Sequence, residues 1–260
     1  MEVDEVARAI IRIGGADNKD FLQSLITNNV SKTDDGLVYS ALLGPQGKFL
    51  YDFFLFCQGD ELFLDVAASV ANELCGRLSL YKLRKDVTIE KTDLAMTRGL
   101  GAPPEGALAD PRHPDLGWRF YGSHIDVPSV DWTELRVNLG VPEATSEILA
   151  DSYILEMGFE RLHGVDFHKG CYIGQEITAR MKHKTQLRKG LAIVKLSKPV
   201  PLHTPIISNG KDIGFICSQS GNSAIAYLRY DRTSDNMFAG DAEVLEANTG
   251  INTITQLRRS

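Results

Sequence analysis

The sequence predicts an α+β fold that ends in a small antiparallel β-barrel. Strand and helix signals alternate over the first ninety residues. Residues 98 to 130 then hold much of the chain's proline and many glycines. After about residue 190, short apolar runs recur between glycine, proline and asparagine turns. At 260 residues there is room for one large domain or two ordinary ones. The change of pattern divides the chain into an α+β part at 1–187 and a barrel at 188–260.

The elements follow in order. Ala9 to Ile13 is a short apolar run stopped by Gly14-Gly15, which reads as a strand. Asp17 offers a helix cap, and Phe21, Leu22, Leu25 and Ile26 recur at helical spacing. Val38 to Leu43 and Phe49 to Phe56 are strand-like runs joined by the hairpin signal Gly44-Pro45-Gln46-Gly47. Leu62 to Val66 continues the sheet, Val70, Leu74, Leu78 and Tyr81 mark an amphipathic helix, and Val87 to Glu90 returns as a strand. This order is of the ferredoxin-like kind with an added hairpin. Ala107 to Ala109 and Trp118 to Tyr121 are short strands within the long connection. Trp132 to Leu139 reads as a helix, closed by Gly140 with Pro142 beyond it. Ala192 to Leu196, Ile206-Ile207, Ile213 to Cys217 and Ala224 to Leu228 are spaced as the strands of a small barrel.

With 43% hydrophobic and 24% charged residues, the composition is that of a globular chain and not of a disordered one. The net charge of −6 argues against stable nucleic-acid binding, which draws on a basic surface. No apolar run approaches the length needed to span a bilayer, so no membrane partner is expected. Met1 to Glu5 is acidic, unlike a secretory signal or an Arg-rich transit peptide. The expected compartment is the cytoplasm for a bacterial source, or the mitochondrial matrix for a eukaryotic, N-terminally processed one. Cys57, Cys75, Cys171 and Cys217 form no C-x-x-C pair, so they read as reduced thiols and no metal site is expected from them.

The densest polar cluster runs from Phe167 to Glu176, after a turn at Gly164 and before a helix with Ile177 and Met181 on its buried face. Two glycines let backbone approach a ligand, and exposed N–H groups at a helix start favour an anion. A thiol just before that start, Cys171, is placed as a candidate nucleophile or soft-metal ligand. On chemistry alone, the segment reads either as such a site or as a tight loop around one buried cysteine.

Lys169-Gly170-Cys171-Tyr172-Ile173-Gly174-Gln175-Glu176 resembles the K-G-C-[YF]-x-G-Q-E signature of YgfZ-type folate-binding proteins, relatives of the glycine-cleavage T-protein. The resemblance extends over nearly the whole chain. Phe21-Leu22-Gln23 with Thr27-Asn28-Asn29, the Gly44 to Lys48 hairpin, Asp110-Pro111-Arg112 with Gly117-Trp118-Arg119, and Gly140-Val141-Pro142 with Tyr153 to Phe159 are each similar to family segments. So are Gly214-Phe215 and Ala224 to Arg229 in the barrel.

This resemblance implies two α+β subdomains and a barrel, with tetrahydrofolate in a central channel. It makes Glu156 the pterin anchor, and a carboxylate there accepts paired donors from an aminopyrimidine edge. It further implies folate contacts from Lys169, Gly170, Tyr172, Gly174, Gln175, Glu176 and Arg180, and chemical roles for Cys171 and Asp52. By spacing, Arg180 also lies one helical turn after Glu176, placed to orient it as an i,i+4 pair. T-proteins carry two adjacent aspartates where this chain has Tyr51-Asp52, so one acid is missing. His183-Lys184-Thr185-Gln186 also departs from the arginine–glycine pair that relatives often carry.

Other signals carry less. Gly44 to Lys48 is too short for a phosphate loop. His168 with Cys171 is a weak dyad by sequence proximity. Apart from Arg180, the basic run Lys182, His183, Lys184, Arg188 and Lys189 reads as a solvated face. Three functions follow from the resemblance. The first is a folate-binding accessory factor for iron–sulfur enzymes, tRNA-modifying ones among them, with client or assembly proteins as partners. The second is an aminomethyltransferase passing a one-carbon unit to tetrahydrofolate, and the third is a folate-binding module without chemistry of its own.

Overall fold

The computed structural model describes residues 6–144, 146–184 and 187–248. The chain forms two compact units, Met1–Val130 with Leu162–Gln175, and Asp131–Arg161 with Glu176–Ser260.

In the first unit, β1 (Arg8–Gly14), β2 (Val38–Leu43), β3 (Phe49–Gln58), β4 (Glu61–Ala67) and β5 (Thr88–Lys91) form an antiparallel sheet in the order β2-β3-β4-β1-β5. Strand alternation gives this sheet two different faces. On one, Ile11, Ile13, Tyr51, Phe53, Leu62 and Leu64 pack against α1 (Asn18–Gln23) and α2 (Ala71–Lys82), which contribute Phe21, Leu22, Leu74 and Leu78. Each fully buried side chain of this size contributes ~1.5–3 kcal/mol, so this face is a large source of the unit's stability. Asp17 stands at the N-cap of α1 but gives that helix no side-chain cap. Its carboxylate accepts the Asp86 N–H at 2.8 Å, tying the helix start to the approach of β5.

The opposite face is charged and closed. A three-stranded sheet, β6 (Ala95–Gly99), β7 (Leu108–Ala109) and β8 (Trp118–Gly122), supplies Arg119 and Tyr121. Asp65 on β4 is fully buried and accepts from Arg8 Nε at 2.6 Å, Arg119 Nη1 at 3.0 Å and Tyr121 Oη at 2.9 Å. Asp110 accepts from Arg112 Nε at 3.0 Å and Nη2 at 2.8 Å, and from Arg119 Nε at 3.1 Å. Burial alone pushes the Asp110 carboxyl up, but the two guanidinium groups outweigh it and hold the group far below the usual carboxylate range. The Arg119 guanidinium lies 3.8 Å from the Phe54 ring centroid, and Tyr121 stacks on Phe56 at 4.0 Å. The Asp-Pro-Arg and Gly-Trp-Arg stretches are therefore the two halves of a buried ion cluster.

The second unit holds α3 (Trp132–Leu139), nearly all of α4 (Gln175–Lys184) and a closed barrel. Asp131 caps α3 by accepting the Glu134 N–H at 2.8 Å, and Gly140 ends it in the left-handed conformation at φ 64°. The barrel strands β9 (Lys189–Leu196), β10 (Pro205–Ser208), β11 (Lys211–Ser220), β12 (Ser223–Arg229), β13 (Met237–Ala239) and β14 (Ala242–Asn248) close in the order β10-β11-β12-β9-β14-β13. Their inward residues, Val194, Ile206, Ile216, Ala226 and Leu228 among them, form a separate core. Barrel strands begin at Lys189, next to the expected boundary at 187/188, but the compact unit also takes in 131–161 and 176–187. Arg136 of α3 explains part of this grouping. It donates to Glu147 at 3.1 and 3.2 Å and to Ser218 on β11 at 2.7 Å, joining helix, turn and barrel.

Candidate functional site

The Lys169–Gly174 segment is a loop held at both ends. Lys169 is 7% exposed, and its ammonium donates to three carbonyls, Gln23 at 2.7 Å, Ile26 at 2.6 Å and Asn28 at 2.9 Å. Every N–H of the ammonium is taken by main chain. Burial draws Lys169 down to about 8, against a smaller upward pull from Asp166. Lys169, for which the resemblance implies a folate contact, is here the peg that fastens the loop to the segment at the end of α1 and after it. Neighbouring bonds brace the same junction. Thr27 Oγ1 donates to the Gly164 carbonyl at 2.7 Å, and Asn28 Nδ2 donates to the carbonyls of Tyr39 at 2.8 Å and His163 at 2.6 Å.

At the other end, Gly174 sits at φ +82°, where a Cβ would lie 2.8 Å from the Gly44 carbonyl and 3.0 Å from Gly47 Cα. Only glycine allows the loop to rest on the β2–β3 hairpin in this way. Tyr172 is buried, with its ring centroid 5.2 Å from Lys169 Nζ, and Ile173 packs on the sheet core. Gly170 has open space around its Cα, so no steric need explains it.

Between these fixed points Cys171 is exposed, while Cys57 and Cys75 are half-buried and Cys217 is buried. Burial pushes the Cys75 thiol up and the Cys217 thiol up to about 12. Helix α4 starts at Gln175, four positions after Cys171, so the thiol is set on the loop ahead of the helix. The buried residue of α4 is Thr178, with Ile177 and Met181 only half-covered, which corrects the expected apolar face. Glu176 and Arg180 are both exposed and form no ion pair with each other among the described residues. The expected orienting pair is therefore absent. Lys182 pairs with Glu160, and His168 is solvent-facing. Thr185 and Gln186 of the departing segment lie outside the described residues.

Glu156 belongs to the second unit and is 6% exposed. Its carboxylate accepts from Tyr227 Oη on β12 at 2.7 Å and lies 3.7 Å from Lys189 Nζ, while its carbonyl accepts the Leu191 N–H at 3.0 Å. The sequence gives no sign that Tyr227 and Lys189 are its partners. No spacing links residues 71 positions apart, and only barrel closure puts them together. Asp52, half-buried, accepts from Tyr39 Oη at 2.9 Å on the charged face of the first sheet. Tyr51 points the other way, into the helix-covered core. The two positions of the T-protein acid pair therefore face opposite sides of one strand.

Comparison with known proteins places this architecture. Residues 188–247 match the family model described as CAF17, C-terminal beta-barrel domain. The mitochondrial iron–sulfur cluster assembly factor IBA57 of Mus musculus is 30% identical over 271 residues, covering 85% of this chain and 75% of the mouse protein. The chain belongs to the IBA57 family. The human IBA57 protein is 29% identical over 268 residues with the same coverage, and the mitochondrial homolog of Pyricularia oryzae is 28% identical over 295 residues, covering 93% and 75%. These relatives carry the IBA57 name where the signature resembles the YgfZ type, its bacterial relative. The glycine cleavage system aminomethyltransferase T of Bartonella henselae superposes with a TM-score of 0.64, covering 92% of this chain and 83% of its own. At 12% identity that likeness establishes the fold alone.

In this IBA57-family chain, the residues expected to contact folate differ in their bonding within the protein. Glu156 fits the donor edge of a pterin by chemistry, although any such ligand would share its carboxylate with Tyr227. Lys169 does not fit, because its donors are spent within the protein.

Proposed function

We propose that this chain is an iron–sulfur cluster assembly factor whose acting group is the Cys171 thiol. One observation carries the reading: Cys171 is the only exposed cysteine of the four, on a loop that Lys169 and Gly174 hold in place. A thiolate is a soft ligand suited to iron–sulfur clusters. Among the described residues, no group of three or more His, Cys, Asp or Glu is placed to hold a metal. A cluster at Cys171 would therefore draw its other ligands from a second molecule, which suits cargo passed between proteins. The relatives' description as iron–sulfur cluster assembly factors supports the same reading. They also favour a mitochondrial setting if the source is eukaryotic, with the bacterial cytoplasm as the counterpart.

Cys171→Ser is expected to fold like the parent and to lose iron–sulfur enzyme activity in a strain lacking the protein. A hydroxyl is a far poorer soft-metal ligand at neutral pH. Cys57→Ser, Cys75→Ser and Cys217→Ser should complement wherever their melting temperatures show them folded. Full rescue by a folded Cys171→Ser would remove this thiol from the account. Assaying tRNA-modifying enzymes in the same strain tests whether they are among the clients.

The finer part of the proposal is a tetrahydrofolate site anchored at Glu156. When bound, the folate would supply one-carbon chemistry, while Glu156 would receive the pterin donors and Lys189 would add positive charge. Glu156→Gln keeps an acceptor for Tyr227 and removes the charge. Calorimetric titration should show tetrahydrofolate binding weakened by about 1.5–3 kcal/mol, roughly ten- to a hundredfold. Equal affinity, or none in either protein, removes folate from the account.

A further inference from the structure

Helix α2 uses Ala71, Leu74 and Leu78 to cover the sheet core. Two further leucines at its end serve no such purpose: Leu80 is 73% exposed and Leu83 is 87% exposed. Leu83 is also the C-cap, held at φ 50° and ψ −114°, a conformation that favours glycine. For the stability of this chain alone, a glycine at 83 would serve better on both counts. A solvent-facing leucine kept in a strained backbone points to a role outside the fold.

The charge around these leucines opposes that of the whole molecule. From Arg77 to Asp86 the chain carries Arg77, Lys82, Arg84 and Lys85 against Asp86 alone, a net +3 in a chain of −6. Arg77 bonds Tyr51, but Lys82, Arg84 and Lys85 enter no ion pair among the described residues. A lysine in the last turn offsets the helix dipole. That accounts for Lys82, and leaves Arg84 and Lys85 beyond it.

We propose that the C-terminal end of α2 is a docking surface for an acidic protein partner. Leu80 and Leu83 would enter apolar depressions on that partner, and its carboxylates would face Lys82, Arg84 and Lys85. A protein fits better than a lipid surface because the leucine at the cap is fixed in direction by its own backbone. Such preorganisation favours a shaped pocket and gains nothing against a fluid bilayer. Complementary charge would raise the association rate and make it salt-sensitive. The surface is independent of the cysteine reading and can stand if that reading fails.

The test uses the full chain and a fluorescent amidated helical peptide with leucines along one face and glutamates flanking them. The wild type should bind it, more weakly as salt is raised. Leu83→Gly should keep or raise the melting temperature yet bind at least about tenfold more weakly. Arg84→Glu/Lys85→Glu should lose binding to a similar extent, and Cys171→Ser should bind like the wild type. The proposal is overturned if the peptide fails to bind or binds all variants equally. It is also overturned if phosphatidylserine vesicles bind in preference to the peptide, or if sedimentation shows a dimer of this chain that Leu83→Gly dissolves.

Discussion

Arg119→Met should destabilise the first unit by about 3–5 kcal/mol, the cost of removing one partner from a buried charge cluster. The guanidinium is buried, bonds both Asp65 and Asp110, and covers the Phe54 ring. Methionine fills much of the volume, so the loss is chiefly electrostatic. Asp65 would keep Arg8 and Tyr121, and Asp110 would keep Arg112, but neither carboxylate would be fully paired. Urea unfolding should show a lower midpoint with an unchanged slope. A loss below about 1 kcal/mol, the range of an exposed ion pair, would mean that the cluster is solvated.

Tyr51→Asp, the change that rebuilds the aspartate pair of the T-protein sequence, should cost at least about 3–5 kcal/mol, the usual range for deleting a buried aromatic ring. Tyr51 is 5% exposed within the helix-covered core, and burial pushes its hydroxyl up to about 12, with Glu73 bonded to it. Aspartate would leave a cavity and place a carboxylate among apolar side chains. Tyr51→Phe, which removes only the hydroxyl, should cost about 1 kcal/mol and serves as the control. Thermal melts of the two variants separate the outcomes. If Tyr51→Asp melts like the wild type, the side chain has room to turn out of the core. Rebuilding the acid pair by one substitution therefore puts the new carboxylate at a core position, because alternation along β3 sets residues 51 and 52 on opposite faces.

Where local chemistry decides structure, the sequence was readable. The Gly44 to Gly47 hairpin, helix α3 with its glycine stop, and strands β9 to β12 all follow from turn residues and apolar period. Three strands escaped notice. β6 reads Ala-Met-Thr-Arg-Gly, β13 spans three residues, and β14 buries Ala242 and Val244 on either side of Glu243 before a bulge between Val244 and Glu246 breaks the period. Pairing within a closed barrel creates such strands, and a single segment does not announce it.

At the candidate site the residue types were visible but their directions were not. A lysine and a glycine beside a cysteine read as ligand-binding groups. The bonds that turn Lys169 inward come from residues more than 140 positions earlier. Likewise Glu156 was recognisable only as a residue of interest, since its partners arrive with the barrel.

The anchoring of the cysteine loop has a consequence for how it moves. Residues 23–28, the hairpin at 44–47 and the loop at 169–174 meet through one ammonium and one close glycine contact. They cannot open separately, because freeing the loop strands a buried charge and uncovers the hairpin. Amide exchange after α1, at the hairpin and at the cysteine should therefore rise and fall together, as a single cooperative unit drawn from three distant stretches of chain. A loop transplanted alone into another scaffold would carry the cysteine without the parts that hold it still.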